Sequence, residues 1–512
     1  MRSVSSDARA VLSVLRSDIP ERKSTAERKL SSSRCQDSRV SGDIPGKNIV
    51  QYIKLTISSY LTVATLIKKV REPSFKYRKM RDEEMEIQSA KGTRDYGPQE
   101  KIFRDQVCRT LAKVFAQYGF PPFESATLQR YDLLAAKYAG GAEILKETFK
   151  LRDQGNRELA LRYDLTVPLA LFIGQNPMMK MPFKRYEIGK VFRDGPIKAG
   201  RVREFWQCDV DIVGSSNILA DAELVLLALD AFAALGIRVR IEINSRKILD
   251  GFMEVLNIPE AKRFAVITAI DKMKKIPIAE IRKELTEQGI SDEQTEELLT
   301  SLSGKSNAEL LAVAQKKLTT RVGKEGIAEI SAILAAVKNV EGKSTVMFNP
   351  YLARGLAYYT GPICEAFVAD GSFRGAVMGG GRYDRMIADF IGGNRQFPAT
   401  GISFGLEPIL AVLQNQESAG STAQMYIVPV GDTAAALDIA QQLRAAGLRV
   451  DIDLQGRGPS KNLEYVRALG IGYALFVGTE ELRTKKYKLR DMTKGKEELL
   501  DLKKIIQKFS SR

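Results

Sequence analysis

Histidine is absent from all 512 residues of the chain. Chemistry that depends on the protein's own imidazole is therefore excluded: no Ser-His-Asp triad, no histidine metal ligand and no histidine general base near pH 7. Cysteine is scarce and scattered, at Cys35, Cys108, Cys208 and Cys364, with no C-x-x-C pair. That spacing offers neither a zinc site nor a disulfide framework, and it reads as reduced thiols in a cytoplasmic protein. Long apolar runs are missing too. Ile49 to Val70 comes nearest, but Lys54 and its Ser and Thr residues make it a marginal amphipathic segment, so no membrane partner is expected.

Acidic residues are outnumbered. The net charge of +16 and a pI near 9.4 favour a polyanionic partner. Residues 1–84 hold 18 Lys and Arg against 10 Asp and Glu, a net of +8, so half of the excess sits in this tail. Residues 1–48, rich in Ser, Arg, Lys and Asp without periodicity, read as disordered, and Asp7, Asp18 and Glu21 fit poorly with a transit peptide. The remainder, in a chain that is 44% hydrophobic, is long enough for two to four domains. Without imidazole, catalysis has to come from carboxylates, guanidinium groups, backbone donors and the substrate. Adenylation of a carboxylate by ATP can run that way, because its nucleophile arrives ionised and the task is orientation and charge neutralisation.

The most informative stretch is Pro182 to Gly214, PFKRYEIGKVFRDGPIKAGRVREFWQCDVDIVG. Alternation on both sides of a basic, Gly- and Pro-containing loop predicts an antiparallel hairpin. Phe205, Gln207, Asp209 and Asp211 fall on one face of its second arm, with Trp206, Val210 and Ile212 on the other. A cationic loop beside an acidic, amide-bearing surface suits a ligand with a phosphate at one end and an amine or ring N–H at the other.

This hairpin resembles motif 2 of the class II aminoacyl-tRNA synthetases in the form used by histidyl-tRNA synthetases. LARGLAYYTG (352–361) and GGGRYD (379–384) resemble that family's two histidine-binding signatures, and LRYDLTVP (161–168) precedes them in the family's order. The resemblance implies an antiparallel-sheet catalytic core of class II type with a helical insertion, followed by an α/β anticodon-binding domain. Its expected limits are residues 1–84 as a basic extension or a mispredicted start ahead of Met85, 85–245 and 346–415 as the two parts of the core, 246–345 as the insertion and 423–512 as the last domain. FPPFESATLQ (120–129) reads as a strand and stands in the place of the dimer-forming motif 1, so homodimerisation is implied as well.

Roles follow by the same resemblance. Asp164 and Thr166 would hold the α-amino group of histidine, Gln207 its backbone and Asp211 the imidazole N–H, with Tyr358 and Tyr359 around the ring. Arg193 and Arg354 would meet the carboxylate and the α-phosphate as the catalytic cations. Phe205 would stack on adenine, and Lys198, Arg201 and Arg203 would reach the tRNA acceptor end. The implied substrates and partners are ATP with Mg2+, L-histidine and histidine tRNA. Two positions depart from the pattern: Ala357 where the family more often has Asp, and Pro408 in GISFGLEPIL where class II enzymes place an Arg against the γ-phosphate. Arg382 or Arg385 is expected to substitute. Two other readings compete with the ligase: a catalytically silent paralogue that senses histidine for a phosphoribosyltransferase, and a tRNA-binding sensor.

Outside these motifs, apolar residues at three- and four-residue steps predict a helix over 98–118, and 148–166 reads as a hairpin turning at Gln154-Gly155-Asn156. Residues 246–345 are helical and Lys/Glu-rich. From 425 onward strands alternate with helices, followed by a basic stretch from Arg483 to Arg490. The missing histidine has one further reading: an enzyme whose own synthesis needs no charged histidine tRNA could still be made when that pool collapses.

Overall fold

The computed structural model describes residues 88–135, 145–197, 202–273, 276–301, 307–338, 344–354, 358–391, 395–413 and 420–510. The N-terminal extension, Lys198, Arg201 and Ala357 lie outside these residues.

The first described helix, Pro98–Gln117, carries Pro in its opening turn, where the missing N–H costs nothing, and ends before Gly119 at φ +74. Its buried face, including Val107, Leu111, Val114 and Phe115, packs on the large sheet. The strand expected over 120–129 forms only in part. Pro121 and Pro122 cannot donate to a ladder, so the chain makes an isolated bridge to Tyr186 and becomes regular strand only at β1 (Leu128–Arg130). β2 (Lys150–Arg152) and β3 (Glu158–Leu161) pair antiparallel around Asn156, which takes the left-handed conformation at φ +58. β1, β3 and β2 make a small sheet in that order.

The large sheet contains β4 (Phe183–Phe192), β5 (Glu204–Val213), β6 (Val239–Ser245), β7 (Thr345–Phe348), β8 (Pro362–Val368), β9 (Ala376–Arg382) and β10 (Ala399–Gly405), in the order β4-β5-β10-β9-β8-β6-β7. It is antiparallel throughout except for the β6–β7 pair. One face is apolar: Cys208, Val210, Ile212 and Phe404 join Phe115 and the helix Leu219–Ala234 in the main core, with Phe115 centred 5.6 Å from Phe404. The predicted hairpin is β4–β5, whose register sets Arg185 opposite Asp211, Glu187 opposite Asp209 and Gly189 opposite Gln207.

Between β6 and β7 the chain runs through helices from Arg246 to Ala336. Ser245 caps the first by accepting the Lys247 amide, and Gly251 packs so closely on Gly323 that a Cβ would lie 2.6 Å from its Cα. β11 (Met425–Val430), β12 (Val450–Ile452), β13 (Tyr473–Gly478), β14 (Tyr487–Asp491) and β15 (Glu497–Leu500) form a second sheet with its own core. β11 lies parallel between β12 and β13, and β14 and β15 extend the sheet antiparallel. The basic stretch runs from the end of the helix Thr479–Thr484 into β14, where Arg490 and Lys488 both pair with Glu497 of β15.

Candidate active site

The polar face of the large sheet floors a cavity of about 750 Å³. Nine of the residues expected in the site line it together: Asp164, Thr166, Arg193, Phe205, Gln207, Asp211, Arg354, Tyr358 and Tyr359. Strand alternation brings Phe205, Gln207 and Asp211 there, and the turn ahead of the helix Thr166–Gln175 brings Asp164 and Thr166.

Arg193, just past β4, donates from Nε to the Tyr163 carbonyl at 3.1 Å and lies 5.1 Å over the Phe205 ring. One edge of its guanidinium is thus fixed by protein while the group lines the cavity. Arg354 comes from the loop before β8 and holds φ at +46, a strained value for a residue with a side chain. Its Nη1 donates to the Cys364 carbonyl at 3.2 Å, its Nε stands 3.7 Å from Glu365, and it lies 5.5 Å over the Tyr359 ring. Gly379 makes room for it, because a Cβ there would lie 2.1 Å from Nη1. Gly401 does the same for Asp211, whose Oδ1 would be 1.9 Å from a Cβ. The glycines of the two motifs are therefore seats for charged side chains.

Tyr358 and Tyr359 lie on the loop between Arg354 and β8. Their rings are 4.7 Å apart, and Tyr383 meets Tyr358 edge-on at 6.1 Å. Burial pushes all three phenols up, so they remain neutral O–H donors.

Beneath them sits a buried charge cluster. Asp211 accepts the Tyr383 hydroxyl at 2.6 Å and pairs with Arg185 at 2.8 Å. Arg185 also donates to the Leu165 carbonyl, while Arg162 pairs with Glu187 at 2.9 Å. Asp164 accepts the Val167 amide at 3.0 Å, yet burial pushes its carboxyl up to about 6, against that amide and Arg193. Burial pushes Asp209 up to about 8, opposed chiefly by Arg185, and raises Asp211 in the same way.

Two expectations are not met. Arg382, expected against ATP, points to the other face of the sheet, where Asp221 binds it through Nε at 3.1 Å and the Ser215 carbonyl takes Nη1 at 3.0 Å. Its place in β9 puts it in phase with Met378 and Gly380 and opposite Gly379, which explains the reversal. Arg385 is exposed and does not line the cavity, so neither arginine stands in for the residue replaced by Pro408, which packs on Gly405. Arg203 turns to Asp194 at 3.1 Å and the Gly195 carbonyl at 3.3 Å. Asp209, Ser403, Tyr383, Glu365 and Asp271 line the cavity without having been expected. For Asp209 the signal was present in its phase with Gln207 and Asp211.

A protein cage for Mg2+ does not fit these residues. Among the described residues no group of three acidic or thiol ligands converges, and Glu407, which lines the cavity, is held by the Trp206 amide at 3.0 Å and by Arg104 at 2.8 Å.

The model of the family described as Histidyl-tRNA synthetase matches residues 92–409, and that of the Anticodon binding domain matches 424–512. The "Histidine--tRNA ligase 1" of Bacillus cereus is 44% identical over 416 residues, covering 81% of this chain and 97% of the relative. The crystal structure of histidyl-tRNA synthetase from Nostoc sp. PCC 7120 superposes with a TM-score of 0.74 at 28% identity, over 84% of this chain and 100% of that one. A Bacillus halodurans structure titled as an ATP phosphoribosyltransferase regulatory subunit/histidyl-tRNA synthetase superposes at 0.65 with 20% identity, over 77% and 99%, and speaks for the fold alone. With its motifs gathered in one cavity and both regions matched, the chain belongs to the histidyl-tRNA synthetase family.

Proposed function

We propose that the protein activates L-histidine with ATP to histidyl-adenylate and transfers the histidyl group to the 3′-terminal adenosine of histidine tRNA. One observation carries this reading: two guanidinium groups, Arg193 and Arg354, line the same cavity as Asp211, Tyr358 and Tyr359, which we assign as the recess for the imidazole ring. A histidine whose ring enters the recess points its carboxylate at the arginines. A carboxylate oxygen attacks the α-phosphorus, the bond to the β-phosphate breaks, and pyrophosphate leaves. Arg193 and Arg354 neutralise the charge that builds up, held in advance by the carbonyls of Tyr163 and Cys364. Phe205, beneath Arg193, receives the adenine, and Asp164 and Thr166 receive the amino group. Mg2+ enters with the triphosphate as part of the substrate.

In the second step a ribose hydroxyl attacks the acyl carbon and AMP leaves. With no histidine in the chain, the hydroxyl proton passes to a carboxylate or to a substrate phosphate oxygen. The helices between Arg246 and Ala336 grip the acceptor arm, with Arg203, Lys198 and Arg201 nearer its end, and the C-terminal sheet takes the anticodon. The protein works as a homodimer in the cytoplasm, and among the described residues no helix is long and apolar enough to cross a membrane. Histidine-dependent exchange of labelled pyrophosphate into ATP tests the proposal. Exchange with histidine alone of the amino acids supports it; absence of exchange in folded protein that still binds histidine returns the histidine-sensing reading.

A further inference from the structure

Three buried acceptors on cavity-lining residues lack a hydrogen bond, and only one of them, Asp211 Oδ2, has an ion pair in its place, with Arg185 at 2.8 Å. Gln207 Oε1 and Asp209 Oδ1 are both sealed from solvent and without a hydrogen-bond partner, and Asp209 is only 3% exposed. An orphaned buried acceptor costs stability, so a pair of them just behind the wall of a cavity, on residues that line it, points to a ligand that donates.

Asp211, two residues along the same face, does not have this freedom, because Tyr383 and Arg185 already hold it. Asp209 is held differently. Gln207 donates from Nε2 to Ser403 Oγ at 3.0 Å, and Ser403 is near enough to Asp209 to favour its ionised form. The Ser403 contact fixes the amide: its nitrogen faces Ser403, so its oxygen turns away, and Oδ1 of Asp209 is left without a partner. The two open oxygens stand on alternate residues of β5. A neutral imidazole has one N–H and could satisfy only one of them. An ammonium group has three N–H donors and a positive charge, and it can satisfy both.

Resting on the histidine-activation reading, we propose that Asp209 is a binding residue for the substrate's α-ammonium group, acting beside Gln207 in a cradle set by Ser403. The local charge agrees. Glu187 faces Asp209 across the β4–β5 ladder, and Asp164 and Asp211 are close enough to raise its carboxyl against Arg185. A cation entering there relieves a crowd of carboxylates.

The test compares Asp209→Asn with the wild type on two ligands, L-histidine and imidazolepropionate, which lacks only the ammonium group. Kd is measured by calorimetry without ATP, and folding is checked by thermal melting. The proposal expects the variant to bind histidine about tenfold or more weakly while imidazolepropionate affinity stays within about twofold. Equal weakening of both ligands, or no change in either, overturns it. Should Asp209→Asn fail to fold, Asp209→Ala is measured in the same pair of titrations against the same criteria. Wild-type protein that shows no histidine-dependent pyrophosphate exchange would sink the underlying reading instead, whatever the variants do.

Discussion

Asp209 in the large sheet and Asp453 beyond β12 in the C-terminal sheet are comparably buried, at 3% and 7% exposure, and their environments push them in opposite directions. Around Asp453, burial is outweighed by donors: the Gln455 amide at 3.0 Å, the Asn462 side chain at 3.3 Å, the Arg457 amide at 2.5 Å and the Arg457 guanidinium at 3.3 Å hold its carboxyl below the usual range. Around Asp209, burial wins and the carboxyl rises to about 8 with one oxygen unpartnered. The first carboxylate completes a loop. The second waits for something outside the chain. Partner count, together with depth, separates a structural acid from a ligand-binding one.

The comparison breaks most visibly at the cavity's cations. Arg193→Ala should lower histidine-dependent pyrophosphate exchange by roughly 10² to 10³-fold with little change in melting temperature, since the group neutralises developing charge and closes no core. A loss of under about tenfold would mean that Arg354 alone suffices. Asp453→Ala should do the reverse. Removing an acceptor shared by four donors should destabilise the C-terminal unit by about 2 to 3 kcal/mol and leave exchange within about twofold. Hydrogen exchange of the β11 and β13 amides reads the first effect, because the only tryptophan, Trp206, lies in the other sheet. Tyr383→Phe is smaller. It deletes the 2.6 Å hydrogen bond to Asp211 and should raise the KM for histidine by about 1 kcal/mol, or roughly fivefold, with the KM for ATP unmoved.

Much of the site was legible because strand phase and motif order act locally. Phe205, Gln207 and Asp211 share a face by alternation, and LARGLAYYTG and GGGRYD supply the arginine, the tyrosines and the glycines that seat them. The same rule, applied to β9, would have turned Arg382 away: it is in phase with Met378, on the side where Asp221, the Ser215 and Asn217 carbonyls and Asp384 receive it. Arg185 and Glu187 were equally readable once the hairpin register was known, since they stand opposite Asp211 and Asp209. The loop position of the tyrosine pair was not readable, because Arg354 at positive φ precedes them and β8 begins only at Pro362. The shortened motif 1 strand reflects two prolines whose missing donors outweigh the apolar pattern around them.

The smallest expected effect is one of pH, and it tests the comparison at its root. The folded pKa of Asp209 stands above the ordinary carboxylate value, so between about pH 4 and about pH 8 the folded state keeps a proton that the unfolded chain has released. The stability this group contributes is present below that window and is lost as pH rises through it. Asp164 and Asp211, also raised, act with the same sign, while Arg185 opposes them and Glu187 adds charge across the ladder. Asp453 has the opposite linkage: its contribution is present above the unfolded value and is lost as pH falls through its lowered pKa. Unfolding followed by Trp206 fluorescence should therefore show a large-sheet unit weaker at pH 8.5 than at pH 5, and Asp209→Asn should flatten that fall by on the order of 1 kcal/mol. The β11 and β13 amides should instead lose protection only toward acid. If Asp209→Asn retains the full alkaline loss, the proton sits elsewhere, with Asp221 and Asp250 next in line because burial raises both, and the unpartnered oxygen of Asp209 would belong to a carboxylate already ionised at neutral pH.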